Sequence, residues 1–382
     1  MTAPAWPGAA KGPLAAKASL GDGRGSPLRL FLVDDSLVIR TLVASWIEAE
    51  PDLELAGVAA DGAQAVQMLA GVQADVCILD LEMPVMGGLE ALPKLLRLRP
   101  NMKVLIASRL TQVGADASLR ALEAGAAECL AKPSAKDPTG AETFRRDLLV
   151  KARTLGRAAA AAAAVAAPAG RAVRPTHAPP LRALASRIET IEILAVAAST
   201  GGPPALRQFL QGLSADLGAP VVIVQHMPAA FVDLLAVQLT KTSPFQVVVA
   251  QANMALEPGL AYLAPGDQHL RVARRGGQLV AELDQGPPEN YCRPAADVLF
   301  RSVAKACGAH VLGVVLTGMG RDGWAGSEAI VRAGGLVLAQ DEASSVVWGM
   351  PGAVVEAGLA SVVGRVDRLA EAVRKLAKGE AP

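Results

Sequence analysis

The sequence predicts an α/β protein built as two successive parallel-sheet domains, the second carrying an antiparallel hairpin. Three observations predict it. Short apolar runs alternate with segments of helical period, the alternation restarts after an Ala/Pro-rich stretch, and 382 residues exceed one ordinary domain. Parallel strands need crossover connections, so strand–helix alternation is the signature of such a sheet.

Residues 1–27 are polar, aperiodic and rich in Gly and Pro, the composition of a disordered tail without a secretory leader. The pattern changes at Leu28. LRLFLVDD, ELAGVAA, ADVCILDLE, KVLIASRL and AAECLAKP read as strands, with LVIRTLVASWIEAE and GADASLRALEAG among the helices between them. These assign a first domain to residues 28–150. The last helix, ETFRRDLLVKARTLG, runs into the alanine tract Ala158–Ala164, which favours helix until Pro168 stops it. Residues 151–187 are an Ala/Pro-rich linker by composition, and residues 188–380 form the second domain. There IEILAVAAS, APVVIVQH, HVLGVVLTG and LVLAQD are strands between helical segments such as PALRQFLQGL and AADVLFRSVAKACG. HLRVARRGGQLVAEL breaks the rhythm as a hairpin turning at Gly276-Gly277.

Composition removes several function classes. Lys and Arg total 37 against 36 Asp and Glu, a net charge of +1 without a basic run, so nucleic acid is not an expected partner. The alanine tract falls short of the ~20 apolar residues a membrane span needs, so no membrane insertion is expected. Cys77, Cys129, Cys292 and Cys307 lack metal-ligand spacing and read as core thiols of a reducing, cytoplasmic compartment.

Chemistry gathers at strand ends. Asp34 and Asp35 close the first strand and Asp80 the third, and in a parallel sheet these carboxylates converge on one crest. Their mutual repulsion calls for a hard divalent cation, and Mg2+ shares its coordination with phosphate. Ser108 ends the fourth strand and can hydrogen-bond a phosphoryl oxygen. Lys132 follows the fifth and supplies a counter-charge.

In that order the residues resemble the response-regulator receiver family, from Leu28 to about Leu149 in a flavodoxin-like fold. The resemblance implies that Asp80 is phosphorylated by a histidine kinase, that Asp34, Asp35 and Asp80 bind Mg2+, and that Ser108 and Lys132 contact the phosphoryl group. Two positions depart from the family. Cys129 stands where an aromatic switch residue is usual, and Pro93 interrupts the helix after the acceptor loop.

In the second domain, ILAVAASTGGPPALRQFL puts Ser199 after a buried strand and before a helix opened by glycines and prolines. Backbone N–H groups there can approach an oxyanion. His226 ends the next strand, and Asp322 lies past a third in TGMGRDGW. A serine needs a general base, and a carboxylate fixes that base's tautomer. The order Ser, His, Asp and the missing first glycine of a nucleophile elbow disfavour an ordinary α/β-hydrolase. Taken alone, STGG after a strand equally suits the phosphate cradle of a nucleotide-binding fold.

The whole region from about Ile191 to Ala377 resembles the catalytic domain of the chemotaxis protein-glutamate methylesterases, also called protein-glutamine glutaminases. AASTGGPPAL, VVIVQHMP, YLAPGDQHL, RPAADVLFRSVA, GVVLTGMGRDGWAG and LAQDEASSVVWGMPGAVVEAG carry the resemblance. It implies a Rossmann-like hydrolytic domain with Ser199 as nucleophile, His226 as base and acid, Asp322 as the orienting carboxylate and the Met319 N–H as an oxyanion donor. The expected substrates are methyl-accepting chemoreceptors, with no cofactor in the catalytic site. Three other readings are a DNA-binding regulator, a non-catalytic adaptor and a small-ester hydrolase. The first needs a helix-turn-helix and a basic face, neither of which is legible here. Intact Ser199, His226 and Asp322 argue against the second, and turnover of a small ester without action on methylated receptor would support the third.

Overall fold

The structure is a computed structural model that describes residues 26–109, 111–133, 140–166, 181–182 and 190–382. Most of the expected tail and the later part of the expected linker lie outside the described residues.

The first domain contains β1 (Leu28–Val33), β2 (Leu53–Ala59), β3 (Val76–Asp80), β4 (Lys103–Ser108) and β5 (Glu128–Ala131). All pair in parallel in the order β2-β1-β3-β4-β5. The helices are α1 (Leu37–Glu48), α2 (Gly62–Leu69), α3 (Gly88–Leu98), α4 (Gln112–Glu123) and α5 (Gly140–Ala166). Side-chain caps start three of them: Ser36 accepts from the Ile39 N–H, Asp61 from Gln64 and Thr111 from Gly114. β3 is buried along its length, as a strand covered by helices on both faces must be.

One expectation is corrected. Pro93 does not interrupt its helix, because α3 runs through it from Gly88 to Leu98. Proline removes the N–H that would reach Leu89, at a cost of about 3 kcal/mol. Burial of Ala91, Leu92 and Leu95 on the same helix opposes that cost at roughly 25 cal/mol per Å2.

The second domain is a seven-stranded parallel sheet in the order β14-β13-β12-β6-β7-β9-β8. Its strands are β6 (Ile193–Ala198), β7 (Val221–Gln225), β8 (Gln246–Val249), β9 (Leu260–Leu263), β12 (Val311–Val315), β13 (Leu336–Gln340) and β14 (Val362–Gly364). The hairpin is β10 (His269–Arg275) with β11 (Gln278–Asp284), paired antiparallel so that Arg275 faces Gln278. Gly276 and Gly277 both take positive φ, the requirement of the two-residue turn that matches strand twist. Helices α6 (Gly202–Gln211), α7 (Val232–Thr242), α8 (Ala296–Cys307), α9 (Trp324–Arg332), α10 (Met350–Glu356) and α11 (Val366–Ala377) complete the fold. β6, β7 and β12 are wholly buried. Since β6 pairs with β12 on one side and β7 on the other, the chain leaving each emerges on a common edge. Among the described residues no helix is long and apolar enough to cross a membrane.

Candidate active site

The first crest gathers the residues expected there. Asp34, Asp35 and Asp80 bring carboxylate oxygens within 4.8 Å of one another. Lys132 lies 2.7 Å from both Asp34 Oδ2 and Asp80 Oδ2. Burial pushes the Asp80 carboxyl above its ordinary range against the pull of Lys132, and the Asp34 charge adds to the rise. Three converging carboxylates with an all-oxygen donor set fit a hard cation such as Mg2+. Ser108 is buried beside them at the end of β4, where its hydroxyl donates to the Gly114 carbonyl at 3.3 Å.

The second crest is built where β6, β7 and β12 end. Ser199 follows β6, and its N–H donates to the Thr317 carbonyl at 3.0 Å. α6 starts three residues on, so its N-terminus faces the serine. Gly201 takes φ 74°, and a Cβ there would lie 2.5 Å from Val346. Gly318 has no room for a side chain either, since a Cβ would lie 2.8 Å from the Ser199 Cβ. That close approach brings the Met319 loop against the serine.

His226 follows β7. The Gln225 amide donates to the Ser199 carbonyl at 2.9 Å and the His226 carbonyl at 3.0 Å, tying the two strand ends together. His226 Nε2 lies 2.8 Å from Asp322 Oδ2. The same oxygen accepts from the Ala296 N–H at 2.6 Å, while Oδ1 accepts at 3.0 Å from Asn290 Nδ2 and from the N–H groups of Asp297 and Gly323. Ala296 and Asp297 are the first residues of α8, so Asp322 sits on a helix N-terminus that favours negative charge. Burial would raise its pKa, but the bond to His226 and these N–H groups outweigh that and hold it low. Burial likewise disfavours a charged His226 ring, yet Asp322 and Cys292 carry its pKa above the usual imidazole value.

Several site residues were not found in the sequence. Asn290 bridges Asp322 and the buried Asp297, whose Oδ1 in turn accepts from the Gly326 N–H at 2.6 Å. Their local signal was slight: a polar residue before a helix. Cys292 corrects the reading of all four cysteines as core thiols. Cys77, Cys129 and Cys307 are buried, but Cys292 is half-buried with Sγ 3.6 Å from His226 Nδ1.

The catalytic crest meets the first domain at the start of β5, the end opposite the acidic crest. The Gly201 N–H donates to the Ala127 carbonyl at 3.0 Å, and the Thr200 hydroxyl donates to Glu128, the first residue of β5. Glu128 also pairs with Lys151 of α5 at 3.1 Å. Val347, with Val346 and Met319 against it, joins the packed cluster of first-domain residues that includes Leu105, Leu130 and Phe144. The residues flanking Ser199 are therefore held by the strand that leads to Lys132.

Comparison with known proteins gives a family for each domain. The profile of the family described as CheB methylesterase matches residues 194–373, and that of the response regulator receiver domain matches residues 30–139. Protein-glutamate methylesterase/protein-glutamine glutaminase 2 of Caulobacter vibrioides is 50% identical over 355 residues, covering 93% of this chain and 100% of that protein. Protein-glutamate methylesterase/protein-glutamine glutaminase 1 of Paramagnetospirillum magneticum is 44% identical, over 92% of this chain and 96% of its own. The crystal structure of the Thermotoga maritima CheB methylesterase catalytic domain matches 49% of this chain and 99% of its own, at 36% identity and a TM-score of 0.48.

Proposed function

This chain belongs to the protein-glutamate methylesterase/protein-glutamine glutaminase family, and from that premise we propose that it hydrolyses glutamate methyl esters and deamidates glutamines on cytoplasmic segments of chemoreceptors, under phosphorylation control. The observation that supports the reading is that Ser199, His226 and Asp322 follow the neighbouring strands β6, β7 and β12, with the histidine bonded to the aspartate.

Asp322 holds Nε2, which leaves Nδ1 as the nitrogen that takes the Ser199 proton. Ser199 Oγ attacks the γ-carbonyl, and the oxyanion develops against the Met319 N–H and the N-terminus of α6; one such donor is worth about 2.7–4 kcal/mol of barrier. The imidazolium returns its proton to the departing methoxide, which leaves as methanol, or to the amide nitrogen of a glutamine, which leaves as ammonia. His226 then takes a proton from water, which opens the acyl-enzyme to glutamate. The test is methanol release from methyl-labelled receptor membranes, with and without a phosphoryl donor. No release in either arm would refute the reading.

In the first domain, Asp80 accepts the phosphoryl group from a histidine kinase. Asp34, Asp35 and Asp80 would hold Mg2+, which when bound neutralises charge on the phosphoryl oxygens. Lys132, released from its bridge between Asp34 and Asp80, turns to the phosphoryl group, and Ser108 donates to it. Lys132 directly follows β5, whose other end holds Thr200 and Gly201 through Glu128 and Ala127. A shift of β5 therefore loosens the grip on the serine loop and uncovers the entrance.

Two outcomes follow from this coupling. Asp80→Asn keeps basal methanol release and loses stimulation by a phosphoryl donor; retained stimulation would place the phosphoryl group elsewhere. Deleting residues 1–187 raises basal release above that of the unphosphorylated full chain, because the covering contacts go. A truncated enzyme no faster than the parent would show that the receiver acts by positive activation.

A further inference from the structure

The half-buried thiol beside the catalytic base makes and breaks no bond in ester hydrolysis. We propose that His226 Nδ1 and Cys292 Sγ form a binding site for a borderline-soft divalent cation of the zinc type, and that its occupation reversibly shuts off the esterase. The donors are of the right kind, an imidazole nitrogen and a thiolate.

Their spacing also fits. With Zn–N about 2.0–2.1 Å and Zn–S about 2.3 Å, a tetrahedral angle sets the nitrogen–sulfur distance at about 3.5–3.6 Å. The two atoms stand 3.6 Å apart. The outer partner is in place as well, since a ligating imidazole typically bonds a carboxylate through its other nitrogen, and Asp322 holds Nε2 at 2.8 Å.

Cys292 is fixed on both sides. Asn290 is bonded to Asp322 and Asp297, and Arg293 holds Asp267 Oδ1 at 2.9 and 2.6 Å. Glu289 and Cys292 exchange backbone hydrogen bonds at 3.1 and 2.9 Å. The pair is thus held near ligating geometry by the loop itself. The remaining coordination positions fall to water.

Binding releases the thiol proton and occupies the Nδ1 lone pair, the one that must receive the serine proton. Inhibition is the direct consequence, and it strengthens as pH rises because a proton is lost on binding.

The inhibition readout rests on the esterase reading above, whereas a spectroscopic one does not, so full-length protein is tested by both. In zinc titrations of methanol release, with each protein scaled to its own metal-free rate, Cys292→Ser is expected to need roughly tenfold or more zinc for half-inhibition. Cobalt(II) added to the parent is expected to give a near-ultraviolet thiolate-to-metal band that Cys292→Ser lacks. Equal zinc sensitivity of the two proteins, as binding at the acidic cluster of the first domain would produce, overturns the site. So does a parent protein without the cobalt band. If no variant releases methanol, the functional reading has failed and the cobalt band alone decides the site.

Discussion

Ser199→Ala is expected to lower methanol release by roughly 10^6-fold, the scale on which loss of a serine nucleophile falls in a triad hydrolase. The fold should be untouched. Ser199 follows the fully buried alanines Ala197 and Ala198, and its structural bonds are made by its backbone: its N–H donates to Thr317, while its carbonyl accepts from Gln225 and Gly202. Alanine keeps all of these. The hydroxyl is the one group removed, and with it the atom that forms the acyl-enzyme. Substrate binding should persist, so the variant's affinity for methylated receptor, measured by co-sedimentation with receptor membranes, should match the parent while turnover disappears. Near-normal methanol release from a variant with an unchanged thermal unfolding midpoint would remove Ser199 from the chemistry.

The parts of this site that could be read from sequence share one physical property: each lies where a buried parallel strand stops. A run such as ILAVAA has no polar atoms to spare, so the first hydroxyl or carboxyl after it marks the crest, and adjacency in the sheet brings the crests' residues together. Ser199, His226, Asp34 and Asp80 were legible on that ground. Other features depend on partners far away in sequence. Asn290 stands 32 residues from Asp322, and Thr200 stands 72 from Glu128, so no local pattern announces either bond. β8, β9 and β14 went unread because they are short, three or four residues each, and β8 and β14 lie at the edges of the sheet, where burial on one side weakens the apolar signal. Pro93 misled because a proline inside a helical pattern is ordinarily a stop, whereas the buried face of α3 overrides it. Cys292 misled for a related reason: cysteine is among the residues most often buried, and only the turn at residues 289–292 lifts this one out of the core.

Asp322→Asn tests the geometry more finely than removal of the nucleophile. Both oxygens of the carboxylate accept, Oδ1 from Asn290, Asp297 and Gly323, Oδ2 from Ala296 and His226. An amide has one acceptor, so its NH2 must face donors on one side, leaving a buried N–H unpaired at about 1–3 kcal/mol. The lesser conflict puts the NH2 in place of Oδ2, because there the imidazole can turn from donor to acceptor. His226 then receives a hydrogen bond at Nε2 and carries its own proton on Nδ1. That is the nitrogen which must accept the serine proton, so the base is blocked although every atom is nearly where it was. Turnover should fall about 10^4-fold, as it does when an aspartate–histidine pair elsewhere loses its charge. The pH profile supplies an independent check. Asp322 raises the His226 pKa, and only the neutral ring can act as base, so the ascending limb of the rate lies at high pH in the parent. Removing the carboxylate lowers that pKa and should move the limb toward lower pH even as the plateau falls. Nitrogen NMR of the neutral ring, recorded above the pKa of each protein, should report the proton on Nδ1 in the variant and on Nε2 in the parent. A variant with the parent's tautomer and an unmoved limb would show that Asp322 does not orient the base.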